Sequence, residues 1–230
     1  MALFTPPRRY DSELLDDPAV DDQLVIRSVS DIVRSNTLFQ GTGAVLAELN
    51  DVFPHLPPNA TLLDVGTGMG DIPWHVQQTA AQRGLTIQTI GLDAGIVLVR
   101  NAQARLSHGV CGDALRLPFA NRSVDVVMCS QVLHHFRNDA ALTLVQEMHR
   151  VARVAVVISD LRRSWTAAAG FWLASFPLRF HPVTRHDGVV SVMRGFTPRE
   201  LADTIHDAIG IRPHVHQRIG FRVTTHWTPT

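Results

Sequence analysis

Apolar positions along the chain change their period several times, and each change marks an element. Residues 1 to 17 show no period and form an irregular arm. From Pro18 to Leu38, Val20, Leu24, Val25, Val29, Ile32 and Val33 recur at helical spacing, and Gly41 to Leu49 continues as a second short helix. This leader is either a cap over a site or packing against the core. Phe53-Pro-His-Leu-Pro-Pro-Asn59 then breaks the chain. Leu62, Leu63 and Val65 form a short buried strand, followed by Gly66, Gly68 and Gly70 and a helix-like run from Asp71 to Arg83.

Strand and helix signals alternate from there. Thr86 to Leu92 is a strand ending in Asp93, Gly95 to Leu106 a helix, and His108 to Cys111 a short strand before Gly112-Asp113. Val124 to Cys129 is a strand, Asp139 to Val151 a helix, and Val154 to Ser159 a strand ending in Asp160. Such alternation implies α/β architecture, a parallel sheet with helices on both faces. Trp165 to Phe180 is unusually apolar and aromatic, and His181 to Asp187 is expected as an exposed loop rich in Arg and His. Thr197-Pro-Arg-Glu200 starts a helix, with Thr as N-cap, Pro first and Glu three residues on. Ile211 to Gln217 and Phe221 to Trp227 are strand-like runs joined so closely that they must be antiparallel.

Composition narrows the class. A chain of 230 residues fits one large domain, or one domain with a lid, and can bury a full core. The 21 acidic residues balance the 21 basic ones, so no overall field favours nucleic acid or an anionic membrane. Cys111 and Cys129 lie in or beside apolar runs and are expected as small buried hydrophobes, suited to a reducing cytoplasm. The first residues lack the apolar core of a signal peptide, and no run approaches the roughly 18 apolar residues of a membrane span. The expected location is cytoplasmic.

The chemistry concentrates at the carboxyl ends of the strands, which carry Asp64, Asp93, Asp113, Ser130 and Asp160 in turn. Parallel α/β sheets bind ligands there. The glycine turn after Asp64 lets a ligand approach the main chain at a helix N-terminus. Asp93, about 23 residues after Gly70, is placed for ribose hydroxyls or as N-cap of the run from Gly95, and both can hold. Asp113 is placed to accept from an exocyclic amine such as that of adenine.

Leu-Asp-Val-Gly-Thr-Gly-Met-Gly-Asp at 63 to 71, Gly-Leu-Asp at 91 to 93 and the run from Asp113 to Phe136 resemble, in order and spacing, the class I S-adenosylmethionine-dependent methyltransferases. The likeness is strongest to the small-molecule branch related to quinone-biosynthesis methyltransferases. It implies a three-layer, doubly wound, seven-stranded sheet, mostly parallel with an antiparallel last strand. With the arm and helical cap taken as residues 1–55, the cofactor-binding domain is expected over 56–230, with a lid insertion of the kind the family often carries over 162–195. By the same resemblance, Asp64 and the turn of Gly66, Thr67, Gly68 and Gly70 hold the methionyl end of S-adenosyl-L-methionine, which leaves as S-adenosyl-L-homocysteine. Asp93, with Ala94, takes the ribose, Asp113 and Ala114 meet the adenine, and Ser130 and Gln131 lie beside the sulfonium end. One departure is Arg150-Val-Ala-Arg153, which replaces the family's Lys-Pro-Gly-Gly turn.

The acceptor side rests on fewer residues. His134 and His135 follow the fourth strand, where a His can titrate near neutral pH and act as base; the alternative is that they are helix-start residues packed under the sheet end. Asp160 with Arg162 and Arg163 is a second pocket wall or a solvated ion pair. Trp165, Trp172 and Arg162 are expected to contact substrate if the aromatic segment lines an apolar cavity. His181, Arg185 and His186 could bind a polar group. His214 and His216 share a strand face, but no third ligand accompanies them, so no metal is expected. The expected activity is methyl transfer to oxygen or carbon of a lipophilic small molecule, hydroxylated aromatic or polyketide-like, by a monomer or homodimer that binds no nucleic acid. The alternatives are a non-catalytic or non-methylating protein that binds the cofactor, or a methyltransferase acting on protein. A dinucleotide oxidoreductase would need Gly-x-Gly-x-x-Gly, whose last place Asp71 occupies.

Overall fold

The computed structural model describes residues 5–17 and 19–230. The expectations that fall on Met1 to Phe4 and on Pro18, a leader without a signal and a helix start, lie outside the described residues. The first helix, α1 (Asp22–Leu38), begins where Asp21 accepts the N–H groups of Gln23 and Leu24. Helix α2 (Gly41–Val52) follows at once. The sheet elements and their crossovers are then β1 (Asn59–Val65), α3 (Asp71–Ala81), β2 (Thr86–Asp93), α4 (Ile96–Ala102), β3 (His108–Cys111), β4 (Val124–Ser130), α5 (Asn138–Val151) and β5 (Ala152–Leu161). Two helices, α6 (Trp165–Ser175) and α7 (Pro182–Arg194), precede α8 (Pro198–Ile209) and a final hairpin of β6 (His216–Arg218) and β7 (Arg222–Trp227).

The seven strands lie in the order β3-β2-β1-β4-β5-β7-β6. β7 runs antiparallel to both β5 and β6, and the remaining pairs are parallel. The doubly wound sheet with antiparallel final pairings is therefore the expected one. Strand β4 shows why it reads as an unbroken apolar run. Val127 and Cys129 face the α5 and α8 side, packing with Leu144, Met148 and Ile205. Val126 and Met128 face the α2 and α3 side, packing with Leu49 and Val76. Both faces are covered, so alternation disappears from the sequence. Each fully buried side chain of this size contributes about 1.5–3 kcal/mol, which makes the sheet a rigid platform for its loops.

Several local expectations are corrected. The His181–Asp187 stretch is not an exposed loop: His181 caps α7, Pro182 takes its first position, and Thr184 and Asp187 are buried. Cys111 is exposed at the outer strand β3, and only Cys129 is buried. The helix expected from Gly95 to Leu106 is shortened to α4, and the strand from Ile211 is shortened to the three residues of β6. Arg150-Val-Ala-Arg153 forms no turn, because α5 passes into β5 without intervening residues. Arg150 anchors that junction on Glu147, Asn121 and the carbonyls of Leu117 and Phe119. Among the described residues, no helix is long and apolar enough to cross a membrane.

Candidate active site

At the end of β1 the chain turns through Gly66, Gly68 and Gly70, with φ of 74°, 55° and 69°. A Cβ on Gly66 would stand 2.4 Å from Val132 Cγ2, so the turn demands glycine for conformation and for space. The N–H groups of Gly66 and Thr67 donate to Leu92 O at 2.8 and 3.0 Å, tying the turn to β2. Asp93 joins the same structure: it accepts from Gly68 N and Gly95 N, both at 2.9 Å. It therefore braces the turn without capping α4, whose N-cap is Gly95. Burial pushes its pKa up against those backbone donors.

Asp64 sits beneath the turn, almost fully buried. Burial, with Asp71 and Asp93 adding negative charge, pushes its pKa up to about 8. Among the described residues, no cation acts on this carboxyl. Asp71, which opens α3, accepts from Asn36 Nδ2 at 3.1 Å, and Asn36 Oδ1 accepts from Gln131 Nε2 at 2.6 Å. A chain of polar contacts thus runs from α3 through α1 to the end of β4.

These residues border a cavity of about 400 Å³. Asp64, Gly66, Thr67, Gly68, Ser130 and Gln131 line one side, while Val29, Ile32, Val33, Phe39, Phe171 and Val192 supply apolar walls. Gly70 lies just behind, against Leu106 and Ala102. Asp93, Ala94, Asp113 and Ala114 are outside this cavity, on the shelf formed by the ends of β2 and β3, where Asp113 and Ala94 are exposed. Asp113 Oδ1 accepts from Leu115 N at 2.8 Å. The residues expected around the cofactor thus divide between an enclosed end and an open one.

The cavity floor carries the two histidines. His134 is buried, and its Nδ1 lies 2.7 Å from Asp160 Oδ1. Asp160 also accepts from His134 N at 3.1 Å and Leu161 N at 2.6 Å. Burial alone would raise the Asp160 pKa, but the His134 ring and these backbone donors hold it below the ordinary value. Burial also lowers the His134 pKa, against the opposing pull of Asp160. A neutral ring that donates Nδ1–H to Asp160 leaves its Nε2 lone pair free; among the described residues Nε2 has no hydrogen-bond partner, and Glu13 Oε1 lies 3.8 Å away. Asp160 is therefore neither a pocket wall beside Arg162 and Arg163 nor a solvated ion pair.

His135 belongs to a different network, formed with the N-terminal arm. Its Nδ1 is 3.5 Å from Asp16 Oδ1 and its Nε2 is 3.9 Å from Glu13 Oε1. Burial opposes its protonation, yet the Asp16 hydrogen bond and the Glu13 charge outweigh this and raise its pKa. Glu13 is itself buried, accepting from Ser191 Oγ at 2.6 Å and pairing with Arg194 at 3.0 Å. Asp187 accepts the N–H groups of Leu14 and Leu15, and Arg194 Nη2 reaches Asp16 at 3.2 Å. Ligand atoms of Glu13, His134 and His135 lie within 4.8 Å of one another, a possible metal triad by proximity. The Arg194 guanidinium supplies the countercharge to Glu13 there and would repel a dication.

The remaining substrate-contact expectations are redistributed. Trp165 and Trp172 are about half exposed, on the outer side of α6, and it is Phe171 between them that enters the cavity. Arg162 points away, bonded to Gln217 and stacked on Phe221. Arg163 is buried and structural, holding Glu200, Pro6 O and Gly195 O. Arg185 stacks on Phe176, and His186 contacts Asp187. His216 is bonded to Glu48, which burial would raise but which Thr224, Arg218 and His226 hold down to about 2. Glu13, Asn36 and Arg222 also line the cavity, and nothing in the sequence singles them out, whereas Phe171 belongs to the aromatic segment expected there. Those three come from elements remote from the glycine turn, and no local spacing marks them.

Comparison with known proteins agrees with this geometry. Residues 63–157 match the family described as "Methyltransferase domain". A demethylmenaquinone methyltransferase of Roseiflexus sp. (strain RS-1) is 33% identical over 126 residues, which is 50% of this chain and 50% of that protein. The chain thus spans about half the length of that curated relative. A S-adenosylmethionine-dependent methyltransferase from Aquifex aeolicus superposes with a TM-score of 0.56 at 16% identity, covering 94% of this chain and 95% of that one. Magnesium protoporphyrin IX methyltransferase from Synechocystis PCC 6803, solved with its methyl donor bound, gives 0.53 at 13% identity, covering 93% and 100%. These two likenesses show the fold.

Proposed function

We propose, from the premise that this chain carries a class I S-adenosylmethionine-dependent methyltransferase domain, that it methylates oxygen or carbon of a lipophilic small molecule in the cavity above β4 and β5. The observation that carries this reading is the buried Asp160–His134 pair, which lines the cavity beside the glycine turn through His134 and leaves Nε2 without a hydrogen-bond partner among the described residues. The residues present fit the donor. Asp64, a buried acid at about 8, gains a countercharge from an ammonium group, and among the described residues the hydroxyl of Ser130 has no partner. Asp64, Gly66, Thr67, Gly68 and Gly70 would hold its amino-acid end, Asp93 and Ala94 its ribose, Asp113 and Ala114 its adenine, and Ser130 and Gln131 the region between. When bound, S-adenosylmethionine supplies an electrophilic sulfonium methyl group and leaves as S-adenosylhomocysteine.

The chain's own contribution is positioning and proton removal. Apolar walls from α1, α6 and α7 exclude water and orient the acceptor, which matters because displacement at the methyl carbon is sensitive to alignment. His134 Nε2 accepts the proton of an acceptor hydroxyl or activated carbon, while Asp160 keeps the opposite nitrogen protonated and stabilises the imidazolium formed. Incubation with labelled cofactor and a panel of phenols, quinols and fatty acids tests the reading. Label on small molecules, lost in His134→Ala, is expected. Label appearing only on protein would refute the small-molecule assignment.

A further inference from the structure

The cavity holds an unpartnered charged group that the methyl-transfer chemistry does not use. Arg222 opens β7, paired with Leu161 of β5, and its side chain is buried yet lines the cavity. Among the described residues, neither its Nε nor its Nη1 has a hydrogen-bond partner. The acid whose field reaches it is Asp160, and that carboxylate is taken by His134. Burial brings the Arg222 pKa down to about 10, which still leaves it charged at neutral pH. An ionised group withdrawn from water without a partner costs several kcal/mol.

Acids also line the cavity, namely Glu13, Asp64, Asp71 and Asp187, but the helix start beside the guanidinium adds to its positive potential. A Cβ on Gly41 would come within 3.2 Å of Arg222 Nη2, which sets the guanidinium against the first residue of α2. That helix has no side-chain cap, so its N-terminal dipole points the same sign of charge at the same place. A guanidinium with free N–H groups in an apolar cavity recognises a planar oxyanion, above all a carboxylate. The methionyl carboxylate of the cofactor is one source. The backbone of Arg222, however, stands three strands from β1 and its glycine turn, roughly 14 Å at ordinary strand spacing, and its guanidinium reaches only as far as the start of α2. The acceptor side of the cavity is where this charge lies.

We propose that Arg222 binds a carboxylate carried by the acceptor, so that the substrate class is a lipophilic acid; this deepens, and rests on, the methyl-transfer reading above. Calorimetry on the full chain saturated with S-adenosylhomocysteine, titrated with decanoate and with decanamide, tests it. The acid is expected to bind at least about tenfold tighter than the amide, the increment of one charge-assisted hydrogen bond. Arg222→Met should abolish that preference while leaving S-adenosylhomocysteine binding within about twofold, and Arg222→Lys should keep part of the preference. Equal binding of acid and amide by the unaltered chain would overturn the proposal, and that comparison needs no variant to fold. So would an Arg222→Lys protein that binds S-adenosylhomocysteine about tenfold more weakly but binds 5′-methylthioadenosine, which lacks the amino-acid end, as before. In that case the guanidinium serves the cofactor. Failure of S-adenosylhomocysteine to bind at all would instead bring down the methyl-transfer reading, whatever the acid preference.

Discussion

Asp160 holds Nδ1 of His134 at 2.7 Å, across 26 residues of sequence and from the neighbouring strand end. The contact fixes the ring's tautomer and leaves its other nitrogen, 3.8 Å from Glu13 Oε1, to accept a proton. It follows that the two residues act as one unit. Asp160→Asn and His134→Gln should each lower kcat by about 10²–10⁴-fold, the range of a lost general base, with the double variant little worse than either. Because burial lowers the His134 pKa, the ring stays neutral to below its ordinary value of 6.5. The kcat profile should therefore fall as pH drops through that lowered value and stay flat through neutrality. An acid limb above pH 7 would exclude His134 as the base.

Asp64 links stability, pH and cofactor. Its folded pKa of about 8 lies above its ordinary value of 3.8, so the stability it contributes is complete below pH 4 and is lost as pH rises towards 8. Asp64→Asn, which mimics the protonated form, should melt higher than the unaltered protein. The advantage should widen between pH 5 and 8 and then level off. With saturating S-adenosylmethionine the order should reverse, since the ligand's ammonium prefers the carboxylate. Thermal melts across that range, with and without ligand, check both signs.

The arm is held by charge. Raised in the folded protein by Asp16 and Glu13, the His135 pKa makes a stabilising contribution that is present at low pH and disappears as pH rises through its folded value. Hydrogen exchange should show protection factors at Leu14 and Leu15, whose N–H groups bind Asp187, falling as pH rises past neutrality. Glu13→Gln should lower them at all pH values, because Arg194 then loses its closest carboxylate. Protection indifferent to both changes would mean that the arm is held by packing alone.

Much of this molecule could be read along the chain because the relevant information is local. Strand and helix periods, the triple glycine turn and the acids ending successive strands depend on neighbours a few residues apart. They were enough for the alternating sheet and for the cluster of Asp64, Gly66, Gly68 and Asp93. His134 was legible as a candidate, but not its partner: Asp160 was set beside Arg162 and Arg163, its sequence neighbours, and folding gave it to His134 instead. The same limit applied to the aromatic segment. Trp165 and Trp172 look like the strongest cavity residues in a linear string, yet the helical turn sends them to solvent and brings in Phe171.

The sequence by itself determined the elements, the class of sheet and the glycine turn at its centre, since backbone conformation and hydrophobic period are short-range properties. Only the tertiary structure decided which side chains share the cavity. Glu13 from the arm, Asn36 from α1, Phe171 from α6 and Arg222 from β7 meet there because the sheet order and the helices over its edge bring them together. Burial then decides their chemistry. It raises Asp64, lowers His134 and leaves Arg222 without a partner, and burial depends on the whole packed chain.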